Sequence, residues 1–491
     1  MVRPKGEKQV PTVEPDACAV MTRGGDARIV LDPATGLNRY LSAPRPSDVL
    51  AYASSTANDV SPAAYARAER LLAEIGPELS GEEYGARLEG LRSRIRKAYA
   101  LPADAEIVFA PSGTDLEYVA LACVQGRGAG GTHNILLGAD EVGSGCIHSA
   151  FGRYFANETA LDIAVSPGRP VAGLGDTHVQ MIDIPVRDGE GRARPSGEIA
   201  RAMDEAASAA VAQGRHVLVH AVHGSKTGLI LPCFADMDRL RARHGPAITF
   251  VVDACQARIT SPAIADYLAR DAMVFVTGSK FMGGPPFSGF AILPAGQMRG
   301  MAPLAAGLAT IFRRGEWPDG CAGRGALENG ANLGLLLRLE ASLFELERFQ
   351  QLSLSQVTRV ILAFHQAVRD CIIEKTPARR VAPYPLGQKE TADTHPVEMR
   401  TLSTLDLSGM GGGATFEDAA RWHKQLLAHN VRLGQPVKCV KRPDGEWGAT
   451  LRIGLSMPMV TERAALDDSA LQRSFSADMG RIREALEAVS A

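Results

Sequence analysis

The sequence predicts an α/β protein whose larger domain is built on a mostly parallel sheet. Seven short apolar runs between residues 106 and 293 alternate with helical or polar segments, a pattern typical of strand–helix–strand units. The 491 residues allow about two to four domains. A hydrophobic content of 45% and a charged content of 22% are those of a chain that folds by itself.

Charge and composition exclude several classes of function. With 53 Lys and Arg against 55 Asp and Glu, the net charge is −2, so we expect neither a nucleic-acid partner nor a membrane partner. No long apolar run or signal peptide is evident, and we expect a cytoplasmic protein. The eight cysteines show no C-x-x-C spacing, which predicts neither disulfides nor a bound metal.

The elements follow in a clear order. Residues 59–99 predict two amphipathic helices, the first capped by Ser61 and Pro62. The apolar runs predict strands at 106–110, 134–138, 179–184, 216–222, 248–253, 273–277 and 289–293.

A long helical pattern at 335–373 and a Pro-rich stretch at 376–387 then lead into a smaller α+β domain. We assign 1–55 to an N-terminal segment that packs on the active site and the small domain, 56–340 to the large domain and 341–491 to the small domain. The first sixteen residues are expected to be a mobile lead-in.

A polar loop follows the first strand of the sheet. Ser112, Gly113, Thr114 and Asp115 precede a helix, so backbone N–H groups and the positive end of the helix dipole would face one point. This arrangement suits a phosphate. A plain N-capped helix is the simpler alternative for this loop alone.

Two ionisable residues follow later strands. Asp253 ends an apolar strand, and a buried carboxylate there requires a cation or several donors. Lys280 follows Thr277, Gly278 and Ser279 in a stretch of small residues, where burial would favour the neutral, nucleophilic amine. The carboxyl ends of parallel strands form one edge of a sheet, where α/β proteins bind ligands. A structural ion pair and a surface lysine remain the alternatives.

A G-x-G-x-x-G match at Gly126, Gly128 and Gly131 follows a helical segment and precedes a strand. This order is the reverse of the dinucleotide-binding context. We therefore interpret the match as a loop, and a nicotinamide oxidoreductase stays a weak alternative.

Taken together, the SGT, D-A-C-Q and T-G-S-K segments resemble the site of fold-type I pyridoxal-5′-phosphate enzymes, in particular the class V aminotransferase and cysteine desulfurase group. The resemblance covers roughly residues 100–460 and implies an aspartate aminotransferase-like large domain with a seven-stranded, mostly parallel sheet. It implies pyridoxal 5′-phosphate as the cofactor and an amino acid as the substrate.

The resemblance also implies residue roles. Lys280 would form the Schiff base with the cofactor, and Asp253 would pair with the pyridine nitrogen. Gln256 would donate to the ring hydroxyl, and Arg452, in the strand ATLRIGLS, would receive the substrate carboxylate. The phosphate would be bound by the side chains or backbone of Ser112, Gly113, Thr114, Thr277 and Ser279.

A further segment, 323–329, resembles the loop that reaches the partner subunit's phosphate, although Ala326 stands where the family usually has threonine. The resemblance therefore implies a homodimer with active sites at the subunit interface.

Three departures from the family pattern bear on the reaction. The stretch from Gly138 to His148 offers no ring at Val142–Gly145 to stack on the cofactor, which could widen the site. Segment 223–228 lacks the asparagine that is usual there, and Ser225 or Lys226 could replace it. Ser225 could equally serve as a cap. Cys439 lies in a loop before Arg452 between two lysines that would favour its thiolate.

The sequence therefore predicts a pyridoxal-phosphate enzyme acting on an amino acid, most generically a class V-type aminotransferase. A β- or γ-elimination or replacement enzyme of specialised biosynthesis, and a cysteine desulfurase using Cys439, are the alternatives within this chemistry. A non-catalytic relative of the same fold is a further alternative, against which the presence of Lys280, Asp253 and Arg452 counts.

Overall fold

A computed structural model describes residues 16–139, 141–143, 145–174, 178–385 and 396–491. The expected lead-in thus falls almost entirely outside the described residues, as does part of the Pro-rich stretch. Within these ranges, no helix combines the length and the apolar character needed to cross a membrane.

The strands of the described chain are β1 (Leu50–Tyr52), β2 (Glu106–Ala110), β3 (Thr132–Leu137), β4 (Val179–Ile184), β5 (His216–His223), β6 (Ile230–Leu231), β7 (Ile248–Asp253), β8 (Met273–Thr277), β9 (Gly289–Leu293), β10 (Arg379–Arg380), β11 (Leu402–Asp406), β12 (Val431–Leu433) and β13 (Thr450–Gly454).

The helices are α1 (Ala17–Met21), α2 (Pro62–Ile75), α3 (Gly81–Ala98), α4 (Leu116–Val124), α5 (Cys146–Ser149), α6 (Ser196–Ala212), α7 (Phe234–His244), α8 (Ser261–Ala269), α9 (Ala295–Met298), α10 (Leu333–Phe349), α11 (Leu354–Val368), α12 (Phe416–Gln425), α13 (Met457–Arg463) and α14 (Asp468–Ser490).

The large sheet contains the seven expected strands in the order β2-β9-β8-β7-β5-β3-β4, and the two-residue β6 pairs with the end of β5. Neighbours from β8 to β4 run parallel, while β9 is antiparallel to both β8 and β2. The central strand β5 is buried along its whole length, whereas the edge strand β4 is largely exposed. The predicted mostly parallel α/β fold is confirmed.

The register of the sheet aligns the carboxyl ends of three strands. Ala110 of β2 pairs with Gly289 of β9, which in turn pairs with Thr277 of β8. Asp253 of β7 pairs with Val222 of β5 on one side and with Phe275 of β8 on the other. The loops that follow β2, β7 and β8 therefore leave the sheet at the same edge.

The helical predictions hold with small adjustments. Ser61 caps α2 by accepting from the backbone N–H of Ala64, and Pro62 is its first residue. The long helical pattern divides into α10 and α11, followed by a π-helical turn at Arg369–Ile373. The glycine motif lies in the loop between α4 and β3, which removes the dinucleotide-binding context.

The N-terminal segment contacts both halves of the molecule. Strand β1 pairs in parallel with β12 of the small domain. The fully buried Arg338 of α10 donates to the carbonyl oxygens of Met21, Arg23 and Gly24, and also to that of Phe287. These bonds hold the segment against the loop that follows Lys280. The domain ranges themselves stay a prediction.

Candidate active site

A cavity of about 210 Å³ lies at the carboxyl ends of β2, β7 and β8. Its lining includes every site residue that the sequence predicts: Ser112, Gly113, Thr114, Asp253, Gln256, Thr277, Ser279, Lys280 and Arg452. The residues come from four separate regions of the chain. The register of the large sheet accounts for three of these regions, and Arg452 is brought to them from β13 of a separate sheet.

The loop between β2 and α4 forms a close-fitting cradle in this cavity. A Cβ on Gly113 would lie 2.8 Å from Cγ2 of Thr277 and 3.3 Å from Sγ of Cys255, so only glycine fits there without a shift. The hydroxyl of Ser112 donates to the carboxyl of Asp115 over 2.6 Å. Because that carboxyl is buried, its pKa rises to about 7.

The hydroxyl groups after β8 are hydrogen-bonded within the protein. Thr277 donates to the carbonyl oxygen of Cys255 over 2.6 Å and accepts from Ser279 over 3.2 Å. Thr277 thus ties the end of β8 to the end of β7. The donors of both hydroxyl groups are therefore used within the protein, and both residues line the cavity.

Asp253 ends β7 and is half-buried at the cavity wall. One of its carboxylate oxygens accepts from the backbone N–H of Cys255 over 2.9 Å. The fully buried Glu117 of α4 is close enough to interact with Asp253; burial and this repulsion raise the pKa of Glu117 well above its usual value.

The backbone of Lys280 is fixed from the N-terminal side of the chain. The side-chain amide of Asn58 donates to the carbonyl oxygens of Ser279 and Lys280, over 3.0 and 2.7 Å. The carbonyl of Lys280 also accepts from the backbone N–H of Gly283 over 2.9 Å. These bonds set the direction from which the lysine side chain enters the cavity.

Gln256 is buried and hydrogen-bonded at both ends of its amide. Its nitrogen donates to the carbonyl of Ser55 over 3.2 Å, and its oxygen accepts from Nη1 of Arg258 over 2.7 Å. Arg258 also donates to Ser54 and to Thr401 of the small domain. The orientation of the Gln256 amide is therefore set by contacts on either side of the cavity.

Arg452 of β13 is buried, with most of its guanidinium donors already paired. Nε donates to the carbonyl of Gln435, and Nη1 donates to the carbonyls of Ser55 and Lys226, over 2.9 to 3.2 Å. Nη2 donates to the hydroxyl of Thr56 over 3.1 Å. Burial lowers the pKa of Arg452 to about 10. The Nη2 edge is consequently the part of this cation that is most open to a ligand.

Sequence reasoning missed Arg28, which lines the cavity from the N-terminal segment. Its guanidinium carbon lies 4.9 and 4.8 Å from the ring centres of Phe155 and Phe287. Its Nε and Nη2 form a bidentate pair with the buried Asp26, while Nη1 lies 3.5 Å from Oγ1 of Thr114. A cation is thus fixed beside the cradle.

A buried ion pair organises the turn that follows β5. Glu141 accepts from Nε and Nη2 of Arg187 over 2.8 and 2.6 Å, and from the hydroxyl of Ser225 over 2.7 Å. Ser225 in turn accepts from the backbone N–H of Leu229. The serine therefore shapes the turn, as the capping alternative proposed, and the neighbouring Lys226 lines the cavity.

Val142, Gly143 and Cys146 also line the cavity, and Ser144 lies outside the described residues. His148 is exposed and absent from the cavity lining. Aromatic rings come from other regions, since Tyr40 and Phe287 both line the cavity. These rings weaken the expectation of a widened site, which rested on the lack of a ring at Val142–Gly145.

The structure does not favour the reactive thiolate at Cys439 that the desulfurase alternative requires. The side chain is buried, and Cys439 is not among the described residues that line the cavity. Burial raises the pKa of its thiol to about 12. The flanking lysines do not offset this effect, because Lys438 lies over the ring of Phe416 and Lys441 over that of Trp447.

No protein-family model matches the chain, and no curated protein matches it either. Solved structures do resemble it. The ureidoglycine–glyoxylate aminotransferase of Bacillus subtilis is 13% identical, with 90% of this chain and 93% of that chain covered and a TM-score of 0.53. The cysteine desulfurase CsdA of Escherichia coli is 16% identical, with 90% and 95% covered and a TM-score of 0.54.

SPT, in a structure with PLP, is 13% identical, with 87% of this chain and 84% of that chain covered and a TM-score of 0.50. At these low identities the likeness concerns the course of the backbone over nearly the whole chain. The chain therefore has the aspartate aminotransferase-like fold, fold type I, that its sequence predicts.

Proposed function

We propose that this protein is a pyridoxal-5′-phosphate-dependent enzyme that acts on an amino acid, most simply as a class V-type aminotransferase. The observation that carries the proposal is the convergence of Lys280, Asp253 and the Gly113 cradle on one cavity. The structural neighbours include an aminotransferase and a cysteine desulfurase of the same fold, and SPT with PLP.

The cavity offers donors that suit a phosphate at one end. The cradle needs glycine at 113, which lets backbone N–H groups at the start of α4 approach a ligand closely. Arg28 adds a cation nearby, and Ser279, whose hydroxyl donates to Thr277, also lines this part of the cavity. We assign phosphate binding to Ser112, Gly113, Thr114, Thr277, Ser279 and Arg28, where Thr277 acts by holding Ser279 and the strand end in place.

Lys280 and Asp253 supply the two groups that the ring of such a cofactor requires. The amine of Lys280 would hold the cofactor aldehyde covalently and then move a proton at the substrate α-carbon. The carboxylate of Asp253 would keep the pyridine nitrogen protonated, and Gln256 would donate to the ring hydroxyl. When bound, the cofactor supplies an electron-withdrawing ring that stabilises negative charge at that carbon.

Arg452 would orient the substrate through its α-carboxylate. Since Nε and Nη1 already donate to three carbonyl oxygens, the Nη2 edge and the adjacent hydroxyl of Thr56 are the donors that we assign to this carboxylate. Holding the carboxylate fixes which bond of the α-carbon stands perpendicular to the ring, which decides the bond that breaks.

Cavity geometry favours the aminotransferase over a desulfurase that uses Cys439. A persulfide carrier needs an accessible thiolate, whereas the thiol of Cys439 is buried and protonated. Elimination or replacement chemistry uses the same Lys280 and Asp253, so the products decide between it and transamination.

We further propose a homodimer in which the 323–329 loop meets the partner subunit. The loop forms a single turn at Arg324–Ala326 that is largely exposed. Its sequence resembles the family loop that reaches the phosphate of the partner subunit, with Ala326 in place of the usual threonine.

The unpaired state of all eight cysteines supports the cytoplasm as the compartment.

Product analysis tests this function. The cofactor-loaded protein is incubated with single amino acids, and the products are identified by mass spectrometry. A keto acid together with pyridoxamine phosphate supports transamination. Ammonia with a keto acid and unchanged cofactor would indicate elimination, and alanine with persulfide would indicate desulfuration.

A further inference from the structure

Two ionisable side chains that the proposed function does not use lie behind Asp253. The sheet register places His220 of β5 opposite Val251 of β7, and Asp253 is two residues further along β7. Because side chains alternate along a strand, His220 and Asp253 point to the same face of the sheet. Helix α4 packs on β5, and its residue Glu117 lies against His220 on that face.

The contact between Glu117 and His220 requires a proton. Oε2 of Glu117 lies 3.4 Å from Nε2 of His220. Both side chains are buried, and neither of these two atoms has a hydrogen-bond partner among the described residues. A carboxylate that faced the lone pair of a neutral imidazole would leave two buried acceptors unpaired. A proton between them makes one atom a donor and the other an acceptor, and so satisfies both.

Burial decides which of the two residues holds this proton. It lowers the pKa of His220 to about 3, so the imidazole is neutral. Burial, together with the negative charge of Asp253, raises the pKa of Glu117 well above its usual value. The proton therefore belongs to Glu117, and Nε2 of His220 is its acceptor, which requires the imidazole to carry its own proton on Nδ1.

The neighbouring thiol does not compensate a second negative charge at this place. Cys146 of α5 interacts with Glu117, and burial raises the pKa of its thiol well above the usual value, so the thiol adds no charge. Lys280 is close enough to interact with Cys146, but we assign its amine to the cofactor aldehyde. Two carboxylates beside the end of β7 would repel each other, and a single ionised one is favoured.

We propose that Glu117 is a reserve acid for Asp253: the two carboxyl groups share one negative charge and one proton, and His220 accepts the proton while it resides on Glu117. The inference rests on the proposed function, because it takes the charge on Asp253 to face the ring nitrogen. Glu117 and His220 are absent from the described cavity lining. Both are therefore positioning residues that act through Asp253.

The sharing of one charge has a consequence for a variant that lacks the acid on β7. In Asp253→Asn, the repulsion that keeps Glu117 protonated is gone. The O–H bond of Glu117 then breaks as an N–H bond forms at the ring nitrogen, and the negative charge moves to Glu117. Glu117 should therefore matter little when Asp253 is present and much more when it is absent.

A double-mutant cycle tests this dependence. The parent, Glu117→Gln, Asp253→Asn and the double variant are loaded with pyridoxal phosphate that carries nitrogen-15 in the ring, and the chemical shift of that nitrogen is followed against pH. The midpoint of its protonation should agree within about half a pH unit in the parent and Glu117→Gln. It should be lower in Asp253→Asn, and lower by at least about one further unit in the double variant.

The affinity for pyridoxal phosphate gives a second readout in the same four proteins. Glu117→Gln should change this affinity by less than about twofold in the parent and by about tenfold in the Asp253→Asn background. Glu117→Met, which has a similar volume and no proton to share, takes its place in the cycle if the glutamine variant does not fold. Glu316→Gln replaces another buried glutamate, outside the described cavity lining, and should show no dependence on the background.

Equal effects of Glu117→Gln in the two backgrounds would overturn the inference. A lower protonation midpoint in Glu117→Gln alone would also overturn it, because Glu117 would then be charged in the parent. The proposed function has an independent test in the covalent labelling of Lys280. If the label forms there and the two effects are equal, only the role of Glu117 as a reserve acid fails.

Discussion

Nη1 of Arg28 lies 3.5 Å from Oγ1 of Thr114, although 86 residues separate them in the chain. The pair joins the N-terminal segment to the loop after β2. Asp26 neutralises the far edge of the guanidinium, and two phenylalanine rings hold its plane. The remaining edge points to the place where we propose that a phosphate binds.

Replacing Arg28 should weaken cofactor binding. Arg28→Gln removes the cation beside the proposed phosphate site, and we expect the affinity for pyridoxal phosphate to fall about tenfold or more. Arg28→Lys should lose less of this affinity, because lysine keeps the positive charge. Some loss is expected, since lysine lacks the planar donor geometry of the guanidinium. The exposed Arg45 provides the control Arg45→Gln. Unchanged affinity in an absorbance titration of Arg28→Gln would contradict this role.

Asp253→Asn should reduce turnover and leave the protein folded. The amide keeps the shape of the side chain and can still accept from the N–H of Cys255, but it removes the negative charge that we propose would pair with the pyridine nitrogen. We expect turnover to fall by roughly a hundredfold or more. Asp266→Asn, at an exposed position on α8, is the control. Turnover within a few-fold of the parent would argue against this pairing.

The pH dependence of stability should report the buried carboxyl of Asp115. Its pKa is raised from 3.8 to about 7 by burial, so between about pH 4 and pH 7 the folded protein binds a proton that the unfolded chain has released. The free energy of unfolding therefore falls as the pH rises through this window.

Asp115→Asn should remove that component, since the amide oxygen can still accept from Ser112. The free energy of unfolding of the cofactor-free parent and of the variant is measured with denaturant at several pH values, and its dependence on pH is compared. The parent should lose more stability than the variant between pH 4.5 and pH 7.5. If the free energies of unfolding of parent and variant changed in parallel with pH, Asp115 would be ionised in the folded protein throughout this window.

Cys439→Ala should leave turnover within about twofold, because the thiol lies outside the described cavity lining and is not ionised at neutral pH. Its removal costs some stability through lost packing. A complete loss of turnover in a variant that still binds cofactor would restore the desulfurase hypothesis.

The sheet and its site edge could be predicted from the sequence for a simple reason. Strands buried on both faces are short apolar runs that end where polar residues begin, and Asp253 and Thr277 mark two of those ends. Once the strands are parallel, their carboxyl ends lie together, and the polar residues that follow them share one site.

Arg28 could not be predicted in the same way. It has its place in the site because of contacts between distant segments, since Arg338 anchors the segment that carries Arg28. Such contacts leave no local pattern. The effect of the neighbouring lysines on the Cys439 thiol could not be predicted for a related reason. These lysines lie over aromatic rings whose positions the sequence does not show.

Covalent labelling of the lysine gives the most direct test of the account. The purified protein is incubated with pyridoxal phosphate, reduced with borohydride, digested and analysed by mass spectrometry. Two lysines, Lys280 and Lys226, line the cavity, so the position of the label is informative. The account predicts one reduced cofactor per chain on Lys280 and none in Lys280→Ala; a label on Lys226, or no label at all, would contradict it.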